Sequence, residues 1–213
     1  MAEALSLDDL RRWLEHFADA VVSQEATLNQ LDSATGDGEH GSNLSRGVAA
    51  MRRALADQSF ADAQSLLSSV GMAIVNSVGG ASGALYGTVF LRLSDAGAGV
   101  TELDLSRLAD GFASAAAGVS ELGRTTPGDK TLLDAIHPAA QALREASAAH
   151  LDLGTGTDRA ALAAETGRDA TAAMAARVGR GSYLGDRSLG HIDAGATSMA
   201  QLFRSLHVAT ASR

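Results

Sequence analysis

The sequence predicts an all-α fold of about eight helices, and three observations carry the prediction. Apolar residues recur at three- and four-residue steps along most of the chain, the spacing that gives a helix one apolar face. Alternating β-branched and aromatic runs are missing, so strands are not expected. Alanine, the strongest helix former, is abundant throughout.

Taken in order, Leu7, Leu10, Leu14, Phe17 and Val21 predict a helix over 7–30. A second covers 42–56. Leu66, Leu67, Val70 and Ile74 mark a third over 59–78, and a fourth covers 83–95. Leu105, Leu108, Phe112 and Val119 mark one over 104–121. Leu132, Leu133, Ile136, Ala140 and Leu143 mark one over 130–149. The last two run over 158–178 and 196–210, the latter on Met199, Leu202, Phe203 and Leu206. Asp152–Thr157 reads as a plain turn. No linker or repeat divides the chain, so residues 1–213 form one domain.

Composition narrows the function classes. Aromatics are 4% of 213 residues, which predicts a core of closely packed Ala, Leu and Val. Cysteine is absent, excluding disulfides and thiolate metal sites. The net charge of −8 and a single lysine, Lys130, argue against nucleic acid as a partner, because that affinity comes from Lys and Arg on phosphates. Met1–Leu10 carries Glu3, Asp8 and Asp9 and has no leader pattern. No apolar run approaches the roughly 20 residues of a membrane span. A soluble, cytoplasmic protein is expected, with no membrane partner.

Four connections are dense in glycine, hydroxyls and charge: Leu31–Gly41, Gly79–Gly83, Gly123–Asp129 and Gly179–Gly195. The first holds a formal G-x-G-x-x-G at Gly36, Gly38 and Gly41. A helix precedes it, not a strand, and Asp37 and Glu39 would repel a bare pyrophosphate. Such a loop faces phosphate only through a divalent cation. Asp32, Asp37 and Glu39 supply three hard oxygen donors of the kind magnesium prefers. The plainer reading is a solvated turn that caps the next helix through Ser42 or Asn43.

Gly79-Gly80-Ala81-Ser82-Gly83 offers backbone N–H groups to an anion at a helix start, or makes a tight helix–helix turn. Around Pro127-Gly128, Asp129 or Thr131 is placed to cap a helix. In the last connection Arg180 and Arg187 are candidate phosphate partners, and His191 with Asp193 offers a second metal site. In an antiparallel helix barrel alternate connections fall at one end. These four follow the first, third, fifth and seventh predicted helices, which places them on one rim.

Together, Asp32–Asn43, Gly79–Gly83, Pro127–Thr131 and Gly179–Ser188 with Gly190–Ser198 resemble the nucleotide-binding L subunits (DhaL type) of dihydroxyacetone kinase, over nearly the whole chain. The resemblance implies a barrel of eight antiparallel helices with ADP or ATP on one rim. It implies two Mg2+ ions held by Asp32, Asp37 and Glu39. Nucleotide contacts are implied from His40, Gly41, Ser42, Asn43, Ala81, Ser82, Gly123, Leu132, Arg180, Asp193 and Gly195, with Leu132 on the adenine. The acceptor would be a ketose held on a substrate-binding K subunit, so neither nucleophile nor general base is assigned here. A phosphotransferase-system phosphoprotein, the M subunit, is a further partner in some such systems.

Glu39 stands where the family usually has aspartate, and Ala194 where proline is common. Other readings are kinase action on a related sugar or sugar acid (erythrulose, threitol, threonate), a nucleotide-loaded regulatory module, and a metal-dependent hydrolase built on His40, Asp37, His191 and Asp193.

Overall fold

The structure, a computed structural model, describes residues 4–56 and 58–211. Glu3, part of the acidic N-terminal stretch, lies outside the described residues. The chain runs through β1 (Ala4–Ser6), α1 (Leu7–Ser23), α2 (Glu25–Ser33), α3 (His40–Ala56), α4 (Ala63–Ser77) and α5 (Gly80–Ser94). It continues through β2 (Glu102–Asp104), α6 (Leu105–Gly123), α7 (Leu133–Ala148), α8 (Leu153–Ala170) and α9 (Ala194–Ala211). Short 3₁₀ turns cover Asp95–Gly97, Thr171–Ala173 and Arg180–Ser188.

The helical reading holds, with local corrections. The first predicted helix is two, broken at Gln24 (φ −110°, ψ 13°), and the break sends α2 and its Asp32 toward the site. Strands were not expected, yet β1 and β2 pair antiparallel, with the buried Leu5 opposite the buried Leu103. Three residues each are too few to give a period-2 signal. Asp152–Thr157 is not a plain turn: the Asp152 side chain accepts from the Thr155 N–H at 3.0 Å and starts α8 at Leu153. Gly154 and Gly156 hid that first turn, since glycine is a poor helix former. At its other end α8 stops at Ala170, and Arg180–Ser188 is a kinked 3₁₀ arm.

The helices close on themselves. α1 packs on α3, and α3, α4, α5, α6, α7, α8 and α9 follow in sequence, each on the next; α9 then returns to α1. Capping boxes start α1 at Ser6 and α4 at Asp62, fixing orphan N–H groups locally.

The core is not only small residues. Six of the chain's eight aromatics sit fully buried inside the circuit: Trp13 and Phe17 of α1, Tyr86 and Phe90 of α5, Phe112 of α6 and Phe203 of α9. Trp13 lies 6.3 Å from Phe90 and 6.1 Å from Phe112, ring centre to ring centre. Phe112 meets Phe203 at 4.6 Å. The indole N–H of Trp13 donates to the Leu202 carbonyl at 3.0 Å, tying the first helix to the last.

The contact of α7 with α8 depends on a proline and a glycine. Pro138, inside α7, has no N–H to give the Asp134 carbonyl one turn earlier. Gly167 of α8 lies against that carbonyl: a Cβ there would sit 2.0 Å from the oxygen.

Candidate functional site

Every second helix of the circuit starts at the same place. The N-terminal ends of α3, α5 and α9, and Leu132 just before α7, line one cavity of about 520 Å³, within the roughly 300–1,000 Å³ of small-molecule sites. Each helix start presents free N–H groups and about half a positive charge, so four of them make an anion-seeking surface. Three are satisfied from within. The Asp32 carboxylate accepts from the N–H groups of Glu39 (3.0 Å) and His40 (3.3 Å) at the start of α3. Asp134 accepts from Gly128 and from Thr131 (2.7 Å), while Thr131 Oγ1 accepts from Leu133 (3.1 Å), at α7. Asp193 accepts from Ala196 at 2.7 Å, inside the first turn of α9. The start of α5 at Gly79 has no side-chain cap, and a Cβ on Gly79 or Gly80 would meet nothing within 4 Å. Gly79, Gly80, Ala81 and Ser82 line the cavity.

The side chains divide by character. Leu85, Val119, Leu122 and Leu132 give an apolar wall, while Asp32, Asp37, His40, Ser82, Arg180 and Asp193 give a polar one. His40 is buried, and its Nε2 lies 2.7 Å from Ser198 Oγ. Tyr86 donates to the same Ser198 Oγ at 2.7 Å, and Ser82 Oγ lies 3.5 Å from His40 Nδ1. Burial lowers the His40 pKa against the opposing pull of Asp32, which favours the uncharged ring. Desolvation pushes the Asp193 carboxyl up to about 7; Asp134 and Asp32 add to this, and the Ala196 N–H and Lys130 oppose it.

The predicted residues can now be placed. Asp32, Asp37, His40, Asn43, Ala81, Ser82, Gly123, Leu132, Arg180, Asp193 and Gly195 all line the cavity. Gly41, Ser42 and Glu39 do not. Gly41 is pressed on α2, where a Cβ would lie 2.2 Å from the Glu25 carbonyl. The Ser42 hydroxyl accepts from Asn29 at 2.8 Å and donates to Glu25 at 3.2 Å, so it braces α3 against α2. Glu39 is exposed, and Asp37 pairs with Arg180. Among the described residues no three acidic or histidine side chains converge as a metal cage. The cap of α3 comes from Asp32, not from Ser42 or Asn43. Asp129 turns back to accept from Thr126 N at 2.7 Å and does not cap α7. His191 is exposed and does not line the cavity beside Asp193.

Three residues were missed as site residues. Tyr86 was read as packing, and Ser198 lies one helical turn inside α9. Lys130 is 3% exposed and lines the cavity beside Thr131 and Leu132. The one available signal was that it is the chain's single lysine.

A family model described as DAK2 domain matches residues 34–208. The chain belongs to the DAK2-domain family. The ADP-binding subunit DhaL of the PEP-dependent dihydroxyacetone kinase of Escherichia coli is 37% identical over 97% of this chain and 98% of its own length. The corresponding subunit of dihydroxyacetone kinase 1 from Listeria innocua is 37% identical over 92% of both chains. The L-erythrulose kinase of Pectobacterium atrosepticum is 34% identical over 86% of this chain, which spans only 32% of that enzyme. Among solved structures, the native dihydroxyacetone kinase of C. freundii matches 92% of this chain with a TM-score of 0.72 at 22% identity. Its complex with AMP-PNP and Mg2+ matches with a TM-score of 0.69 at 25% identity. This DAK2-domain chain spans 33% of that kinase. Among the described residues no helix is long and apolar enough to cross a membrane.

Proposed function

We propose that this chain is the nucleotide-binding subunit of a dihydroxyacetone-type kinase. It holds ADP or ATP with magnesium in the rim cavity and passes the terminal phosphoryl group to a ketose carried by a K-type partner subunit. One observation carries the reading: four helix starts, one of them uncapped, converge on a cavity that also holds Asp32, Asp37 and Asp193. Amide dipoles attract phosphate and carboxylates repel it. The combination suits a polyphosphate bridged to the carboxylates by a divalent cation.

The donor set fits magnesium, which commonly takes one or two protein carboxylates and completes its shell with phosphate oxygens and water. Asp32 and Asp37 would hold it. Glu39, the third implied ligand, is exposed and would have to turn inward. The resemblance implies two ions. Bound magnesium supplies charge neutralisation and orients the phosphoryl group. The chain's own residues do the rest. The amides of Ala81 and Ser82 meet phosphate oxygens, with the first turn of α3 (His40 to Asn43) beside them. Leu132 and Gly123, with Leu85 and Val119, flank the base. Arg180, Asp193 and Gly195 close the opposite wall. The circuit of helices is read as an antiparallel eight-helix barrel with α2 outside it. In PEP-dependent systems the phosphoryl donor would be a phosphotransferase-system phosphoprotein, the M subunit. An acceptor of the erythrulose type is a second reading, favoured by the likeness to L-erythrulose kinase and by Glu39.

Calorimetric titration tests the nucleotide side. ADP should bind with magnesium and lose most of its affinity in chelator. Asp37→Asn should keep its helix content but lose the melting shift that ADP and magnesium give the parent by mass action. Equal ADP affinity with and without chelator would overturn the proposal.

A further inference from the structure

Lys130 has the left-handed backbone that side chains rarely adopt (φ 64°), and its ammonium is directed inward. Nζ donates to the carbonyls of Thr171 (2.8 Å), Met174 (3.1 Å), Ser188 (2.8 Å) and His191. An ammonium has three protons, so the four oxygens share them. Two of these carbonyls precede the 3₁₀ arm Arg180–Ser188, one belongs to its last residue and one lies three residues beyond it, so one cation ties both ends of the arm. The arm carries Arg180, which pairs with Asp37, and Asp193 lies two residues beyond the last tie. Gly181 rests on the acidic loop, its Cβ position 3.3 Å from the Thr35 carbonyl.

We infer that Lys130 is a positioning residue: it clamps the base of the 171–191 arm and so sets where Arg180 and Asp193 meet a nucleotide. A buried ammonium is tolerated only when hydrogen-bonded, and four carbonyls meet that condition. Without it, those carbonyls lose a donor, and of the four Thr171 keeps the Met174 N–H at 3.1 Å. They belong to the segment 171–191 between α8 and α9 and not to the packed helices, so the loss falls on that segment and the arm within it. Displacing binding groups by about 1 Å costs as much as roughly 100-fold in catalysis. The nucleotide part of the inference rests on the proposed function; the clamp does not.

The test exploits the absence of cysteine. Lys130→Cys has a unique thiol, and alkylating it with bromoethylamine in the unfolded chain restores an ammonium of nearly equal reach. The variant should keep its helix content, be cut by trypsin at Arg180 and Arg187 at least about 10-fold faster, and bind ADP with magnesium about 10- to 100-fold more weakly. Aminoethylation should reverse both changes. Parent-like cleavage and affinity would overturn the clamp, as would weaker binding with an unchanged rate of arm cleavage. If the parent itself binds no ADP, the proposed function fails while cleavage still decides the clamp. Should the variant not refold, acetic anhydride on the unmodified protein decides. Lys130 should acetylate far more slowly than a free lysine, and acetylation as fast as that of a free lysine would overturn the clamp.

Discussion

Ser198 Oγ takes part in contacts with Tyr86 and His40 at 2.7 Å each, and lies 3.1 Å from the carbonyls of Ala194 and Gly195. Ser198→Ala therefore strands a buried tyrosine hydroxyl and a buried imidazole nitrogen. An unsatisfied buried group costs about 1–3 kcal/mol, so urea unfolding should show a loss of that order. Adding Tyr86→Phe to Ser198→Ala should cost little more, because the hydroxyl it removes has already lost its partner. Fully additive losses would mean that the two residues do not share a network. Asp193 gives a pH signature. Its ordinary value is about 4 and its folded value about 7, so within that window the folded chain keeps a proton that the unfolded chain has released. Stability from this group therefore falls as pH rises through the window. In metal-free buffer the stability of Asp193→Asn relative to the parent should grow from about pH 4 to about pH 7 and then level off. A pH-independent difference would contradict the shift.

Among single elements, Gly167 on α8 offers the sharpest test. Glycine to alanine inside a helix ordinarily gains about 1 kcal/mol. Here the added Cβ would meet the Asp134 carbonyl at 2.0 Å, and backbone cannot step aside as a side-chain tip can. Overpacking costs about 1–3 kcal/mol or more, so the clash wins and the melting temperature should fall; a rise would show that α7 and α8 are less tightly joined. Legibility also differs by element. The apolar stripes of α1, α4, α6, α7 and α9 were readable because each repeats over several turns. The break at Gln24 was not, since no glycine or proline marks it. Nor was the Arg180–Ser188 arm, whose turns are held from outside by Lys130. Within the candidate site, glycine-rich connections were legible because helix starts of this kind need small residues. The roles of Gly41 and Ser42 were hidden because they answer to α2, which the sequence merged with α1. Glu39 was read by its chemistry and by the family resemblance, and neither says where its side chain points.

For the molecule as a whole, the proposed function places the chemistry-bearing groups of the rim cavity around a nucleotide. Among the described residues the cavity offers carboxylates, helix starts and an apolar wall, the groups that the proposed function assigns to the nucleotide and its metal. Phosphoryl transfer depends mostly on holding the acceptor in line. The isolated chain should therefore not phosphorylate free dihydroxyacetone at a useful rate, and adding a matching K-type subunit with a phosphoryl donor should switch the reaction on. A coupled assay of the chain alone and of the mixture checks this, and equal rates would reject the two-subunit reading.

The chain's one tryptophan, Trp13, is fully buried between Phe90 and Phe112. Its emission is accordingly a spectroscopic gauge of the molecule's centre. It should be blue-shifted, shielded from acrylamide and nearly unmoved when a ligand enters at the rim. Tyr183, on the 3₁₀ arm, is 87% exposed and samples the opposite environment. Intrinsic tryptophan fluorescence would thus follow denaturation faithfully and be almost blind to occupancy, whereas a dye or tryptophan placed at position 183 would report the rim.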